Sequence, residues 1–323
     1  MAFSWKGRRV LVTGATGILG SWLAAELVRR RARVVAIVRD HVPGSNFYRM
    51  GLERKVLVER GEFEDLGFVR RVIRRHRIRD VMHLGAQAIV GAANRSPLPT
   101  FEANIGGTWN LLEACRLAGG VERMVVASSD KAYGEGRELP YTEETALRGE
   151  HPYDVSKSCA DLVAGAYHES FGLPVCITRC GNIYGGGDLN FNRIVPGTIR
   201  SVLRGERPVI RSDGKYVRDY IYVKDVVDGY LELAAQMGEK GLEGEAFNIS
   251  TGNHLSVLGI VGHVLRAMRS GLRPVVLNEA SGEIREQTLS CGKAGRVLGW
   301  KPRYGLEKGL KETVAWYRGW LKG

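Results

Sequence analysis

Tyr153 and Lys157 stand four residues apart in Pro152-Tyr153-Asp154-Val155-Ser156-Lys157, and Pro152 suits the first turn of a helix. Side chains at that spacing share one helix face. A phenol of reference pKa ~10 is a poor base at neutral pH, but an ammonium nearby favours its phenolate. Tyr153 is thus a candidate proton acceptor, with Lys157 as its support. Upstream, Ser128-Ser129-Asp130-Lys131-Ala132-Tyr133-Gly134 leaves a strand-like run over 124–128, so a hydroxyl, a carboxylate and an amine would reach the end of a sheet. Taken singly, these motifs have plain alternatives: an exposed helix pair, a polar turn, a simple Asp–Lys salt bridge. Ordered as strand, polar exit and Tyr/Lys helix, they are far more specific than any one part.

A second constellation lies near the start. Gly14-Ala15-Thr16-Gly17-Ile18-Leu19-Gly20 follows one strand-like run and opens a helical pattern. Glycines suit a place where a Cβ would block a pyrophosphate, and a helix N-terminus offers unpaired N–H groups to an anion. Asp40 follows Gly20 by 20 residues at the end of the second strand-like run, where a carboxylate can take both hydroxyls of an adenosine ribose. That favours NAD as cofactor; Arg39 beside it could meet a 2′-phosphate, so NADP is the less favoured choice.

The elements that must position these groups are legible in outline. Strand-like runs at 10–13, 34–38, 55–59, 81–84, 124–128 and 175–179 alternate with helical patterns at 21–30, 101–118 and 152–171. This is the texture of an α/β protein with a Rossmann-type, doubly wound parallel sheet. After Gly185 the chain becomes Gly-rich, shows one more strand-like run at 220–223, and closes with an amphipathic stretch at 306–321. The expected division is a dinucleotide-binding domain at 1–180 plus 219–249 and a smaller discontinuous substrate lobe at 181–218 plus 250–323, with the site in the groove between them.

Composition removes other classes. Of 323 residues, 44% are hydrophobic and 25% charged, which excludes disordered and collagen-like chains. The five cysteines lack C-x-x-C spacing, so neither a zinc site nor a disulfide framework is supported. No long uncharged apolar stretch occurs, and a cytoplasmic protein with no membrane partner is expected. The formal charge of +12 comes from 47 Lys and Arg against 35 Asp and Glu. The densest basic run, 70–79, places Val69, Val72, Ile73 and His76 at helical spacing without interleaved aromatics, so a solvated helix face is preferred to a nucleic-acid patch. Arg-rich charge suits phosphorylated small molecules equally well.

The chain resembles the extended short-chain dehydrogenase/reductase family and, within it, the nucleotide-sugar 4,6-dehydratases. The resemblance rests on Trp5-Lys6-Gly7 before the glycine loop, Gly20-Ser21-Trp22-Leu23 after it, His83-Leu84-Gly85-Ala86-Gln87, 104–108, Ser129-Asp130-Lys131, Gly185-Gly186-Gly187-Asp188 through Arg193-Ile194-Val195-Pro196, and Leu298-Gly299-Trp300-Lys301-Pro302. It runs over nearly the full length. Ser129 stands where the family usually has Thr, and Glu62-Phe63 where it usually has Asp and an aliphatic residue.

The resemblance implies a cofactor site of Gly14, Thr16, Gly17, Ile18, Leu19, Gly20, Asp40, Glu62, Phe63, Leu84, Ala86, Gln87, Asn104, Tyr153 and Lys157. It implies a nucleotide-diphosphate sugar as substrate, held by Gln87, Asn182, Arg193, Arg218 and Arg285, and a homodimer paired through the helices at 101–118 and 152–171. It also implies an internal redox reaction in which Tyr153 and Ser129 act at the 4-hydroxyl, Lys131 takes the C5 proton and Asp130 protonates the leaving 6-hydroxyl. Related CDP-sugar 2-epimerases keep the Lys but lack the Asp, so Asp130 carries the choice between dehydration and epimerisation. An epimerase or decarboxylase on the same scaffold is the alternative reading. A non-enzymatic cofactor sensor or RNA-binding Rossmann protein is a distant one.

Overall fold

The computed structural model describes residues 3–136, 138–279 and 284–322. Thirteen strands are named in chain order: β1 Arg9–Thr13, β2 Arg33–Val38, β3 Leu57–Arg60, β4 Asp80–His83, β5 Arg123–Ala127, β6 Val175–Cys180, β7 Asn182–Tyr184, β8 Val209–Ile210, β9 Val217–Tyr222, β10 Ala246–Ile249, β11 His254–Ser256, β12 Val275–Val276 and β13 Glu286–Gln287. Seven of them form one sheet in the order β3-β2-β1-β4-β5-β6-β10, parallel throughout. The order reverses beside β1, the point at which open α/β sheets bind ligands.

Residues of alternate parity explain why both faces are covered. Val10, Val12 and Ala36 join one buried cluster with residues of the helices Ile18–Arg29 and Val223–Lys240. Leu11, Val35 and Ile37 join a second with residues of the helices Leu66–His76 and Gly107–Ala118. The basic run forms the helix Leu66–His76: Val69, Val72 and Ile73 are buried, Asp65 caps it by accepting from the Phe68 N–H at 2.9 Å, and Arg71, Arg74 and Arg75 are exposed.

The second lobe is built on a four-stranded sheet, β11-β9-β13 with β7 also on β9. The helices Ile194–Leu203, Val257–Met268 and Leu306–Lys322 accompany it. Here the structure differs from the expected division. The strand at 217–222, counted from 219 with the cofactor domain, pairs with β7, β11 and β13, whereas β10 alone of that segment enters the large sheet. A strand-like run does not reveal which sheet edge it will meet. The helical pattern at 101–118 also divides, into Pro97–Phe101, a π-helical turn Glu102–Gly106 and Gly107–Ala118. No helix among the described residues is long and apolar enough to cross a membrane, and no His/Cys/Asp/Glu group among them could hold a metal ion. The five cysteines are free thiols.

Candidate active site

β1 ends at Thr13 and the chain turns through Gly14, at φ +67°, toward the helix Ile18–Arg29. A Cβ on Gly14 would lie 2.7 Å from the Leu84 carbonyl carbon and from the Gly85 nitrogen, and one on Gly20 would overlap the Gly14 carbonyl. These two glycines therefore permit backbone-to-backbone packing. Gly17 is exposed and caps the helix with no side-chain hydrogen bond, leaving first-turn N–H groups to whatever docks there. The cradle fits a dinucleotide pyrophosphate. Thr16 and Ile18 are partly exposed, while Leu19 is packed into the core and can offer only its backbone. Asp40 is exposed and accepts from Arg39 Nε at 2.7 Å; Glu62 is exposed nearby in sequence to Phe63.

Two residues expected at the cofactor make close contacts within the protein. The Phe63 ring fills a notch between Gly85 and Gly107, where a Cβ on either would overlap it, and it meets His83 edge-on at 5.3 Å. Asn104, buried in the π-helical turn, accepts from the Gln87 N–H at 2.7 Å and donates to the Gln87 carbonyl at 3.0 Å and Ser156 Oγ at 2.9 Å. Ser156 Oγ in turn donates to the Tyr153 carbonyl at 2.7 Å. Asn104 thus braces the loop 84–87 against the Tyr153 helix. Gln87 folds its own amide onto Ile89, accepting from the Ile89 N–H at 2.5 Å. Leu84 and Ala86 are partly exposed beside it.

β5 delivers the polar turn. Ser129 opens the short 3₁₀ helix Asp130–Tyr133; its Oγ accepts from the Lys131 N–H at 3.2 Å and donates to Asp130 Oδ1 at 3.0 Å. Asp130 is buried, its Oδ2 has no hydrogen-bond partner among the described residues, and its carbonyl accepts from Gln287 Nε2 at 3.4 Å.

The helix Pro152–Phe171 begins and ends where the sequence pattern placed it. Burial pushes the Tyr153 phenol up to about 12; Arg193 pulls it down, Asp130 pushes it up and the Ser129 hydroxyl favours its ionisation. Burial lowers Lys157 to about 8, and its Nζ donates to the Ala127 carbonyl at 2.8 Å. Arg193 is thus a cation that favours the ionised phenol against burial, while Lys157 donates to a main-chain acceptor at the end of β5. Sequence reasoning passed over Asp154, although it lies inside the same motif. It is buried, which raises its carboxyl to about 6 against the opposing pull of Lys131 and His151.

The remaining polar residues expected at the substrate lie in the second lobe. Arg193 pairs with Asp188 at 3.2 Å and reaches the Ala88 carbonyl at 3.4 Å, joining the lobes next to the loop 84–87. Arg218 on β9 is buried and donates to the carbonyls of Val217, Ile284 and Arg285; the Arg285 side chain is exposed. Asn182, on β7, is half-buried and pairs in register with Tyr220 of β9.

Such a sheet, with its glycine cradle at the strand-order reversal and a tyrosine and lysine one helical turn apart beside a Ser-Asp-Lys turn, defines an extended short-chain dehydrogenase/reductase. The family described as GDP-mannose 4,6 dehydratase matches residues 11–313. The chain belongs to that family of nucleotide-sugar 4,6-dehydratases and is an enzyme. It is 32% identical to the CDP-glucose 4,6-dehydratase of Salmonella typhimurium over 336 residues, covering 99% of this chain and 93% of the relative. Among solved structures, DesIV, a dTDP-glucose 4,6-dehydratase from Streptomyces venezuelae with NAD and TYD bound, superposes with a TM-score of 0.86 at 29% identity, covering 96% of this chain and 97% of that one. The UDP-glucose 4-epimerase of Thermotoga maritima with UDP-glucose gives a TM-score of 0.88 at 31% identity, covering 97% and 99%.

Proposed function

We propose that the chain dehydrates an NDP-hexose, with CDP-glucose as the favoured substrate, to the NDP-4-keto-6-deoxyhexose and water, using NAD. The observation that carries this is Asp130: a buried carboxyl, hydrogen-bonded by Ser129 through one oxygen only, near enough to Tyr153 for its charge to act on the phenol, and one residue before Lys131. Oxidation alone needs only the tyrosine. Elimination needs an acid and a base besides, and this turn supplies both. Bound NAD+ would supply the hydride acceptor for C4 and the donor for C6.

In the groove, Tyr153 takes the proton of the hexose 4-hydroxyl while Ser129 hydrogen-bonds the same oxygen. The 4-ketone acidifies the C5–H, whose proton Lys131 accepts and gives back to C5 when C6 is reduced. Asp130 gives a proton to the 6-hydroxyl, which departs as water. Asn182, Arg193, Arg218, Arg285 and Gln87 hold the diphosphate and sugar, the arginines through charge-assisted hydrogen bonds. Asp40 hydrogen-bonds the adenosine ribose and favours NAD over NADP; tighter binding of NADP in parallel titrations would reverse that choice. We also place the chain in the cytoplasm as a homodimer: Trp109 and Leu162, on the two helices expected to pair, are 48% and 62% exposed. Light scattering at micromolar concentration tests the dimer, and a monomer would reject it.

The deciding experiment offers CDP-, dTDP-, UDP- and GDP-glucose and follows the base-induced absorbance of a 4-keto-6-deoxy sugar. The expected outcome is product from CDP-glucose foremost. The similarity to the UDP-glucose 4-epimerase favours the second reading, for which the outcome is an epimerised hexose with no loss of water.

A further inference from the structure

His83 ends β4 as a wholly interior side chain: it is 3% exposed, with Phe63 on its edge and Lys157 as its charged neighbour. Its hydrogen bonds fix its proton. Thr13 Oγ1 accepts from the Leu84 N–H at 3.1 Å and the Gly85 N–H at 3.0 Å, which uses both of its lone pairs. Its single hydroxyl proton therefore goes to His83 Nδ1, 2.8 Å away. On the other side, Thr108 Oγ1 donates to the Asn104 carbonyl at 2.6 Å, so it accepts from His83 Nε2 at 3.1 Å. Only a neutral ring with its proton on Nε2 satisfies all of these bonds. A charged ring would aim an Nδ1–H at an oxygen that already has two donors. Burial and Lys157 act in the same direction, lowering the ring's pKa to about 3.

The two arms of this ring end at different parts of the site. The Thr13 arm ties the end of β1, next to Gly14, to the loop that carries Leu84, Ala86 and Gln87. The Thr108 arm ends at Asn104, which holds Gln87 and, through Ser156, the main chain of Tyr153. We infer that His83 is a positioning residue for the proposed reaction: as a permanently neutral Nε2–H tautomer it sets the spacing between the dinucleotide cradle and the tyrosine helix through two separable hydrogen-bond arms. The inference rests on the proposed use of a dinucleotide but not on the identity of the sugar.

The arms can be cut apart. In His83→Asn the short amide carbonyl stands where Nδ1 stood and keeps the Thr13 arm, but nothing reaches Thr108. His83→Phe keeps the volume and loses both arms. NAD affinity, measured by calorimetry without sugar, should stay within threefold of wild type in His83→Asn and weaken at least tenfold in His83→Phe. Single-turnover oxidation of the sugar should fall at least tenfold in both. Nitrogen-15 spectra of the wild-type protein, with and without NAD, should show one His83 ring in the Nε2–H form that does not titrate between pH 5 and 8. This last reading needs no variant to fold and no substrate to be turned over, so it stands apart from any failure of the dehydratase assignment. A ring that titrates in that range, a proton on Nδ1, or wild-type NAD affinity in a folded His83→Phe protein would overturn the inference.

Discussion

The Lys157 ammonium donates to the Ala127 carbonyl at 2.8 Å, from the helix that carries Tyr153 to the strand that carries the Ser-Asp-Lys turn. Arg193, which comes from the second lobe, is a cation that favours the ionised phenol. A residue of the second lobe thereby bears on the proton acceptor of the first. The rate of sugar oxidation should rise with pH below the phenol's pKa, because the base is the deprotonated form. Arg193→Gln should move that rising limb to higher pH, by about one unit, which a pH series of single-turnover traces would read. An unmoved limb would remove Arg193 from that role.

Asp130 and Tyr153 should fail at different steps. Asp130→Asn keeps size and hydrogen bonding but has no acidic proton, so oxidation at C4 survives while water loss slows by ~10²–10⁴, the range of general acid catalysis. Tyr153→Phe should suppress oxidation itself. A stopped-flow trace at the reduced-cofactor absorbance separates them: accumulation in Asp130→Asn, none in Tyr153→Phe. Wild-type turnover in Asp130→Asn would remove it from the acid's role.

Asp154 makes a stability prediction. Its folded pKa, about 6, lies above the unfolded value near 3.8, so the native state binds the proton more tightly in that window. The stabilisation from the neutral form is complete below pH ~4 and is lost as pH rises through 6. A shift of this size corresponds to ~3 kcal/mol. Asp154→Asn, which stays neutral, should therefore raise the melting temperature by several degrees at pH 8 and by much less at pH 4.5. Calorimetry at the two values decides; an equal effect at both would mean the carboxyl is not held in this state.

Phe63 and Gly107 should show strong coupling. A methyl at residue 107 would overlap the Phe63 ring, and overpacking of this kind costs ~1–3 kcal/mol. Gly107→Ala should lose that amount, and Gly107→Ala combined with Phe63→Leu should recover part of it. Denaturant unfolding of the four proteins gives the coupling energy, and strictly additive losses would contradict the notch.

Much of this enzyme is local and therefore legible along the chain. The glycine loop, the alternation of strands with helices and the helix over Pro152–Phe171, with its proline start and glycine stop, arise from dihedral preferences and side-chain period that act within a few residues. The order of the chemistry-bearing residues follows from those elements. What only the tertiary structure decided is where each polar group spends its hydrogen bonds and charge. The 217–222 strand entered the small sheet because partners 30 or more residues away complete it. Phe63 turned inward because Gly85 and Gly107 leave it a notch, and Asn104 became a brace because Gln87 and Ser156 meet it first. Arg193 bears on the phenol for the same reason: electrostatic influence depends on separation and burial in space, and a four-residue spacing fixes a helix face without saying what lies opposite it.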